Sequence, residues 1–129
     1  MGYHMTQREA DFFIDHQNLQ PMVAAIQGLY DSDSPRQYSW VQDGYEKLTD
    51  PIKILRAWRW QADLDEDGNI DEICFAGEKL GDEDVLFRAI APFVRCGSYI
   101  EMSGEDGGLW RYFFENREMR EQTAKLIWE

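Results

Sequence analysis

The chain has 129 residues, of which 43% are hydrophobic, and a formal net charge of −12 at pH 7. This length and apolar content suit one domain with a single core, while the negative charge disfavours direct contact with nucleic acid or an anionic membrane. The sequence contains no apolar run long enough to span a bilayer and no signal-peptide pattern, so we expect a cytoplasmic protein.

We expect the chain to form one domain that begins after a short leader. Residues 1–4 look like a vector-derived leader, because Met5-Thr6 would make a natural start. We therefore expect one α+β domain over residues 5–129, with a mainly helical part over 5–55 and a sheet part over 56–129. Cys74 and Cys96 lack the spacing of metal ligands and are interpreted as free thiols, although a single bridge between them stays open. We expect no cofactor and no metal.

Two local patterns predict helices near the N-terminus. Thr6 and Glu9 are spaced as in a capping box, which predicts a helix with Phe13 and Ile14 turned inward. Asn18 is expected to cap a second helix that has Pro21 in its first turn. The apolar residues of that helix recur at helical spacing and should be buried: Met22, Val23, Ile26, Leu29 and Tyr30.

Two more patterns follow before the first expected strand. Residues 39–42 have capping-box spacing and predict a helix that buries Trp40, Val41, Tyr45 and Leu48. Asp50 followed by Pro51 is typical of a helix start, since proline at the first helical position loses no hydrogen bond. We expect this short helix to lead directly into a strand.

Residues 58–75 predict a β-hairpin. Their apolar residues alternate with period two, and Asp67-Gly68 can form a two-residue turn in which both residues have positive φ. This turn would place Ala62 opposite Ile73 and Trp60 opposite Phe75, so that the large side chains share one face with Trp58.

A calcium-binding loop over residues 63–74 is an alternative interpretation of the same stretch. Part of an EF-hand-like loop is matched by Asp63, Asp65, Asp67, Gly68, Ile70 and Asp71. The position that should supply a bidentate glutamate is Cys74, and the flanking residues alternate as strands do. The hairpin interpretation accounts for more of the sequence.

We call residues 63–84 the acidic segment, because they hold ten acidic residues and one basic residue, Lys79. Such a segment attracts basic surfaces, and we predict that it contacts a partner protein. A solubilising surface is the simpler alternative, and Asp82 is also expected to cap a helix whose first turn holds Glu83 and Asp84. The predicted contact residues are Asp63, Asp65, Glu66, Asp67, Asp71, Glu72, Glu78, Asp82, Glu83 and Asp84.

The last part of the chain predicts one helix and three strands. The helix should bury Val85, Leu86, Ala89, Ile90, Phe93 and Val94 and end near Pro92 and Gly97. Strands are expected over 98–103, 109–115 and 118–128, with turns at Asp106-Gly107 and Asn116-Arg117.

The register of these strands determines which side chains share a face. A turn centred on Asp106-Gly107 would place Tyr99 opposite Phe114 and Ile100 opposite Phe113. Glu101 and Glu121 would then lie on one face, which gives a carboxylate-based hydrolase as a further alternative. The other face would carry Ile100, Phe113, Leu126 and Trp128.

The sequence therefore predicts an α+β fold in which helices precede an antiparallel sheet of about five strands, in the order β-β-α-β-β-β. The function we expect is that of a small acidic, non-enzymatic protein that binds or inhibits a partner with a basic surface, as anti-defence and immunity proteins do. We assign no catalytic residues and expect neither nucleic acid nor a membrane as a direct partner.

Overall fold

The computed structural model describes residues 3–32, 41–42, 44–81 and 83–124. The α+β class is confirmed, as is the order β-β-α-β-β-β from the hairpin onwards. Within these residues, six strands and three α-helices form in the order β1 (Met5–Asp11), α1 (Leu19–Ser32), α2 (Pro51–Ala57), β2 (Trp60–Leu64), β3 (Ile70–Phe75), α3 (Glu83–Ile90), β4 (Tyr99–Gly104), β5 (Leu109–Glu115) and β6 (Glu118–Thr123). The strands divide into a four-stranded antiparallel sheet, β1-β4-β5-β6, and the hairpin β2-β3.

The predicted first helix is wrong, because these residues form β1. The strand pairs antiparallel with β4, from Met5 opposite Gly104 to Asp11 opposite Tyr99. Phe12 and Ile14 are buried whereas Phe13 is only half-buried, which is the alternation of an extended chain. The capping-box pattern reflects only a local preference for a helix. By pairing with the edge of β4, this segment instead forms a ladder of backbone hydrogen bonds.

The helices predicted after Asn18 and after Asp50 are confirmed as α1 and α2. In α1, Met22, Val23 and Ile26 are buried as predicted, whereas Leu29 is half-buried and Tyr30 is exposed. Asn18 does not act as the predicted cap, because its side chain donates to the Phe93 carbonyl at 3.4 Å. The turn before α1 is capped by Asp15 instead.

At the start of α2, the Asp50 carboxylate accepts hydrogen bonds from the amides of Ile52 and Lys53, at 2.8 and 3.1 Å. The helix predicted from residue 39 to Leu48 is wrong over its described part, although residues 39, 40 and 43 lie outside the described residues. Its later part forms only a 3-10 turn, Tyr45–Lys47, in which Tyr45 is buried.

The hairpin is confirmed, but its turn differs. Trp60 lies opposite Phe75 and Ala62 opposite Ile73, as predicted. The pairing then shifts by one residue, so that Leu64 lies opposite Ile70 and residues 65–69 form the loop. Gly68 has a φ of +84°, whereas Asp67 is not in the left-handed region. A wider loop forms because the Asp65 carboxylate accepts from the amides of Asp67 and Asn69, both at 2.9 Å.

The predicted register between β4 and β5 is wrong by one residue. Tyr99 lies opposite Phe113 and Ile100 opposite Tyr112. The cause is the turn: the Gly104 amide donates to the Gly108 carbonyl at 2.8 Å, which leaves three residues in the loop rather than two. One face therefore holds Ile100, Met102, Tyr112 and Phe114, all of which are buried.

The turn between β5 and β6 is confirmed. Asn116 and Arg117 both have positive φ, 54° and 64°, as a two-residue hairpin turn requires. Strand β6 ends at Thr123. Residues 125–129 are outside the described part of the chain, and this includes Leu126 and Trp128.

A side-chain amide joins the hairpin to the four-stranded sheet. Gln7 sits at a bulge in β1, where its Nε2 donates to the Ile73 carbonyl and its Oε1 accepts from the Phe75 amide, both at 2.9 Å. On either side, backbone bonds link Ile14 with Ile70 and Met5 with Glu78. Strand β1 therefore lies between β4 and β3, and the Gln7 side chain substitutes for backbone where the ladder is interrupted.

The core is rich in aromatic residues. Trp60 contacts both Phe75 and Phe87, each with 5.0 Å between ring centroids, and Phe87 contacts Tyr112 at 4.9 Å. Phe87 is a core residue of α3 that the helical stripe did not include. None of the helices within the described ranges is both long and apolar enough to cross a membrane.

The bridging role of Gln7 gives a first prediction. Replacing Gln7 with Leu leaves the Ile73 carbonyl and the Phe75 amide without partners, and we expect the free energy of unfolding to fall by about 2 kcal/mol. Urea unfolding measures this change.

Gln20→Leu is the matched control, since Gln20 is exposed and its Nε2 donates to the Thr49 carbonyl at 3.3 Å. We expect a change below about 0.5 kcal/mol for the control. Equal losses in the two variants would contradict the role of Gln7.

Candidate functional site

The structure divides the predicted contact residues into three groups. Exposed side chains are Asp63, Glu66, Asp67, Asp71, Glu72 and Glu78. Asp65 and Asp84 are half-buried, and Glu83 is buried. Asp82 lies outside the described residues. We call Asp63, Glu66, Asp67, Asp71 and Glu72 the acidic hairpin surface, because all five are exposed on the hairpin β2-β3.

Two of these acids face each other across the hairpin. Asp63 in β2 lies directly opposite Glu72 in β3, so two negative charges occupy neighbouring positions on its outer side. Within the described ranges, neither carboxylate has an ion pair or a hydrogen-bond donor. Leu64, the residue after Asp63, is 49% exposed. Like charges directly opposite each other destabilise a strand pair, so the fold itself does not explain this arrangement.

Asp65, in contrast, has a structural role in the loop. Its carboxylate accepts from the amides of Asp67 and Asn69 and from the Asn69 side chain at 3.1 Å. These bonds, led by the one from the Asn69 backbone, lower the pKa of Asp65 below its ordinary value. Asp65 therefore closes the hairpin loop rather than facing a partner.

The calcium alternative has no support in this geometry. The loop is flanked by β2 and β3 rather than by the helices of an EF-hand, and Asp65 turns its oxygens towards amide donors. No three His, Cys, Asp or Glu side chains come together as candidate metal ligands in the described parts of the chain.

Glu83 has to be removed from the predicted contact surface. It has no exposed area, and its two oxygens accept from Arg59 Nη2 at 3.1 and 2.9 Å. The Gly81 amide also donates to Glu83 Oε1, at 2.7 Å. Burial raises the pKa of Glu83, whereas Gly81 and Arg59 oppose that rise. A partner cannot reach this carboxylate.

The fold also forms a cavity of about 480 Å³ where the end of the acidic segment meets β5 and β6. Acidic and aromatic side chains make up much of its wall, and all of its charged residues are acids: Asp84 and Glu121. The other residues that line it are Tyr3, Leu80, Gly81, Gly108, Leu109, Trp110, Tyr112 and Thr123. We call it the acidic-aromatic cavity. No pattern in the sequence indicates this cavity, because its walls come from four separate stretches of the chain.

The pair of carboxylates that the hydrolase alternative requires is not formed. Glu121 lies opposite Tyr112 and so shares the face that carries Ile100. Glu101 lies opposite Arg111 on the other face and forms an ion pair with Arg8 at 3.1 Å. The one-residue difference in register moved Glu101 to the opposite side of the sheet from Glu121.

The outer face of the sheet carries its own aromatic residues. Tyr99 and Phe113 are half-buried there, and the Arg111 guanidinium lies 5.6 Å and 5.3 Å from their ring centroids. The Arg111 Nε donates to Gln122. This face pairs its charges internally and therefore has less unbalanced charge than the acidic hairpin surface.

Comparison of the chain with protein-family models, with curated proteins and with solved structures finds no match. The function is therefore inferred from the geometry of the chain itself.

The burial of Glu83 gives a second prediction. Arg59→Met leaves the Glu83 carboxylate buried without its cation, and we expect a loss of about 3 to 5 kcal/mol in the free energy of unfolding. Chemical denaturation measures the change. The control is Arg88→Met, which makes the same replacement in the exposed pair between Arg88 and Asp84 and should cost less than about 1 kcal/mol.

A double variant, Arg59→Met with Glu83→Met, removes both charges together. We expect it to be more stable than Arg59→Met alone, because no uncompensated charge stays buried. A double variant that is less stable than the single one would contradict this account.

Proposed function

We propose that this protein is a small, non-enzymatic, acidic antagonist that binds a basic surface of a partner protein through its acidic hairpin surface. The observation that supports this most directly is the placement of Asp63 opposite Glu72 with no counter-charge among the described residues. A cationic side chain of a partner, placed between these two carboxylates, would replace their repulsion with two attractions.

The acids that have structural roles strengthen this argument by contrast. Asp50 caps α2, Asp65 closes the hairpin loop, and Glu83 pairs with Arg59. Asp63 and Glu72 do none of these things. Their negative charge lies at the protein surface, where it increases the rate at which a basic partner encounters the protein.

The exposed leucine beside the charges supports a protein partner. Leu64 is 49% exposed, next to Asp63 in β2. Apolar contact at the centre and charges around it are the usual composition of a protein interface. A surface that bound a polycation through charge alone would gain little from such a side chain. Cys74 and Cys96 are both exposed and unbridged, which suits the reducing cytoplasm, where we place the protein.

The matched test uses two double charge reversals. Asp63→Lys with Glu72→Lys should abolish capture of the partner, because the contact surface changes sign. Glu115→Lys with Glu118→Lys is the control: these two residues are also directly opposite each other in a hairpin, and the net charge changes equally. Each protein is used as bait in a lysate of the source organism, with quantitative mass spectrometry as the measurement.

We expect a set of basic proteins that the wild type and the control retain and the Asp63/Glu72 variant loses, with binding that weakens as salt is raised. Capture that is equal for both variants would refute the proposal. Thermal melting of all three proteins verifies that each is folded.

A further inference from the structure

Another cavity, of about 530 Å³, lies on the outer face of the four-stranded sheet. Its volume falls within the range of sites that bind small ligands. A row of polar side chains lines it, one from each strand in spatial order: Arg8, Glu101, Arg111 and Gln122. We call it the outer-face cavity. It shares no residue with the acidic hairpin surface.

The wall of this cavity carries one positive charge that the chain does not neutralise. Within the described ranges, its charged residues are two arginines and one glutamate. Arg8 and Glu101 neutralise each other through their ion pair at 3.1 Å. Glu101 also lies directly opposite Arg111, yet no carboxylate of the described chain is within ion-pair distance of the Arg111 guanidinium. The unmatched charge is therefore that of Arg111.

The fold holds the Arg111 guanidinium in place through uncharged groups alone. Its Nε donates to the Gln122 side chain, and its central carbon lies 5.6 and 5.3 Å from the ring centroids of Tyr99 and Phe113. In the described part of the chain, no acceptor takes its two terminal amino groups, and the residue is only half-buried. These amino groups form a planar fork that matches two oxygens of one anion.

The charge of the site favours a carboxylate among the anions that fit such a fork. A carboxylate carries one negative charge and so matches the one unmatched positive charge. A phosphate ester carries roughly two negative charges at neutral pH, and the net charge of −12 on the chain repels the excess. Leu109 is half-buried and also lines the cavity, so an apolar body attached to the carboxylate gains contact there.

We propose that the outer-face cavity binds a small monocarboxylate with an apolar body, whose two oxygens accept hydrogen bonds from the terminal amino groups of Arg111. The hydrogen bond from Nε to Gln122 and the two aromatic rings orient the guanidinium for this contact. The site uses no residue of the acidic segment. It is therefore independent of the contact with a basic partner, and one chain can bind both ligands at once.

The test uses 4-methylpentanoate, a small aliphatic monocarboxylate, on the whole protein. Isotope-labelled protein is titrated with this probe, and two-dimensional NMR follows the Arg111 Nε–H signal and the backbone amides of Leu109 and Gln122. We expect saturable shifts at these three signals with millimolar affinity, as befits contact with one guanidinium group. The neutral 4-methylpentanamide has almost the same shape and should bind at least about tenfold more weakly.

Variants connect the binding to the Arg111 guanidinium. Arg111→Met should weaken binding of 4-methylpentanoate by at least about tenfold. Arg111→Lys keeps the charge beside the two rings and should still lose about fivefold, because lysine cannot form the planar fork. Arg120→Met is the matched control: Arg120 is exposed on the same face, opposite Phe113, and does not line the cavity. Its affinity should equal that of the wild type.

Four outcomes would overturn the inference: no saturable shift, equal binding of the amide, inorganic phosphate binding as tightly as 4-methylpentanoate, or an affinity of Arg111→Lys equal to that of Arg120→Met. A peptide C-terminus is a second source of the same carboxylate, and N-acetyl-alanyl-leucine represents it. If this peptide binds more than about tenfold tighter than 4-methylpentanoate, the site serves a protein terminus, and the small-molecule inference fails. None of these results depends on Asp63 or Glu72, so they are distinct from failure of the proposed function.

Discussion

The buried ion pair between Arg59 and Glu83 is the constraint on which the arrangement of the other elements depends. Arg59 stands between α2 and β2 with a φ of +73°, a left-handed conformation that costs a non-glycine residue about 1 kcal/mol or more. The surrounding bonds hold it there: its amide donates to the Arg56 carbonyl and its carbonyl accepts from the Ala76 amide, both at 2.8 Å. The side chain is thereby directed inward to Glu83, which fixes the start of α3 against the hairpin.

The position of α3 then determines both the core and the candidate cavity. Phe87, one turn after Glu83, packs on Trp60 of the hairpin and on Tyr112 of the sheet. Asp84, the residue beside Glu83, lies on the wall of the acidic-aromatic cavity. The same helix start therefore contributes one acid to the interior and its neighbour to the surface, although both looked equivalent in the sequence.

Sequence reasoning succeeded where the pattern and the tertiary contacts favour the same structure. The hairpin pairing of Trp60 with Phe75 follows from the alternation together with a turn at Asp67-Gly68, because a one-residue slip would expose the tryptophans. The prediction failed where pairing with a distant strand determined the local structure. Thr6 and Glu9 have capping-box spacing, but they form a strand that pairs with β4, almost one hundred residues later in the chain. It also failed where a single loop residue decided the register, since the three-residue turn at 105–107 puts Glu101 and Phe113 on the same face of the sheet, whereas a two-residue turn would have put them on opposite faces.

The candidate sites differ in the same way. Alternation and charge were enough to locate the acidic hairpin surface, because exposure of Asp63 and Glu72 follows from the burial of Ala62 and Ile73. The acidic-aromatic cavity needed the tertiary structure, since Asp84 and Glu121 are brought together by the packing of α3 on the sheet. A surface of unpaired charge gives long-range attraction with little geometric selectivity, whereas a lined cavity admits only side chains of suitable length and shape. Under the proposed function, the unpaired charge of the acidic hairpin surface would therefore speed the encounter with a basic partner without by itself selecting one side chain.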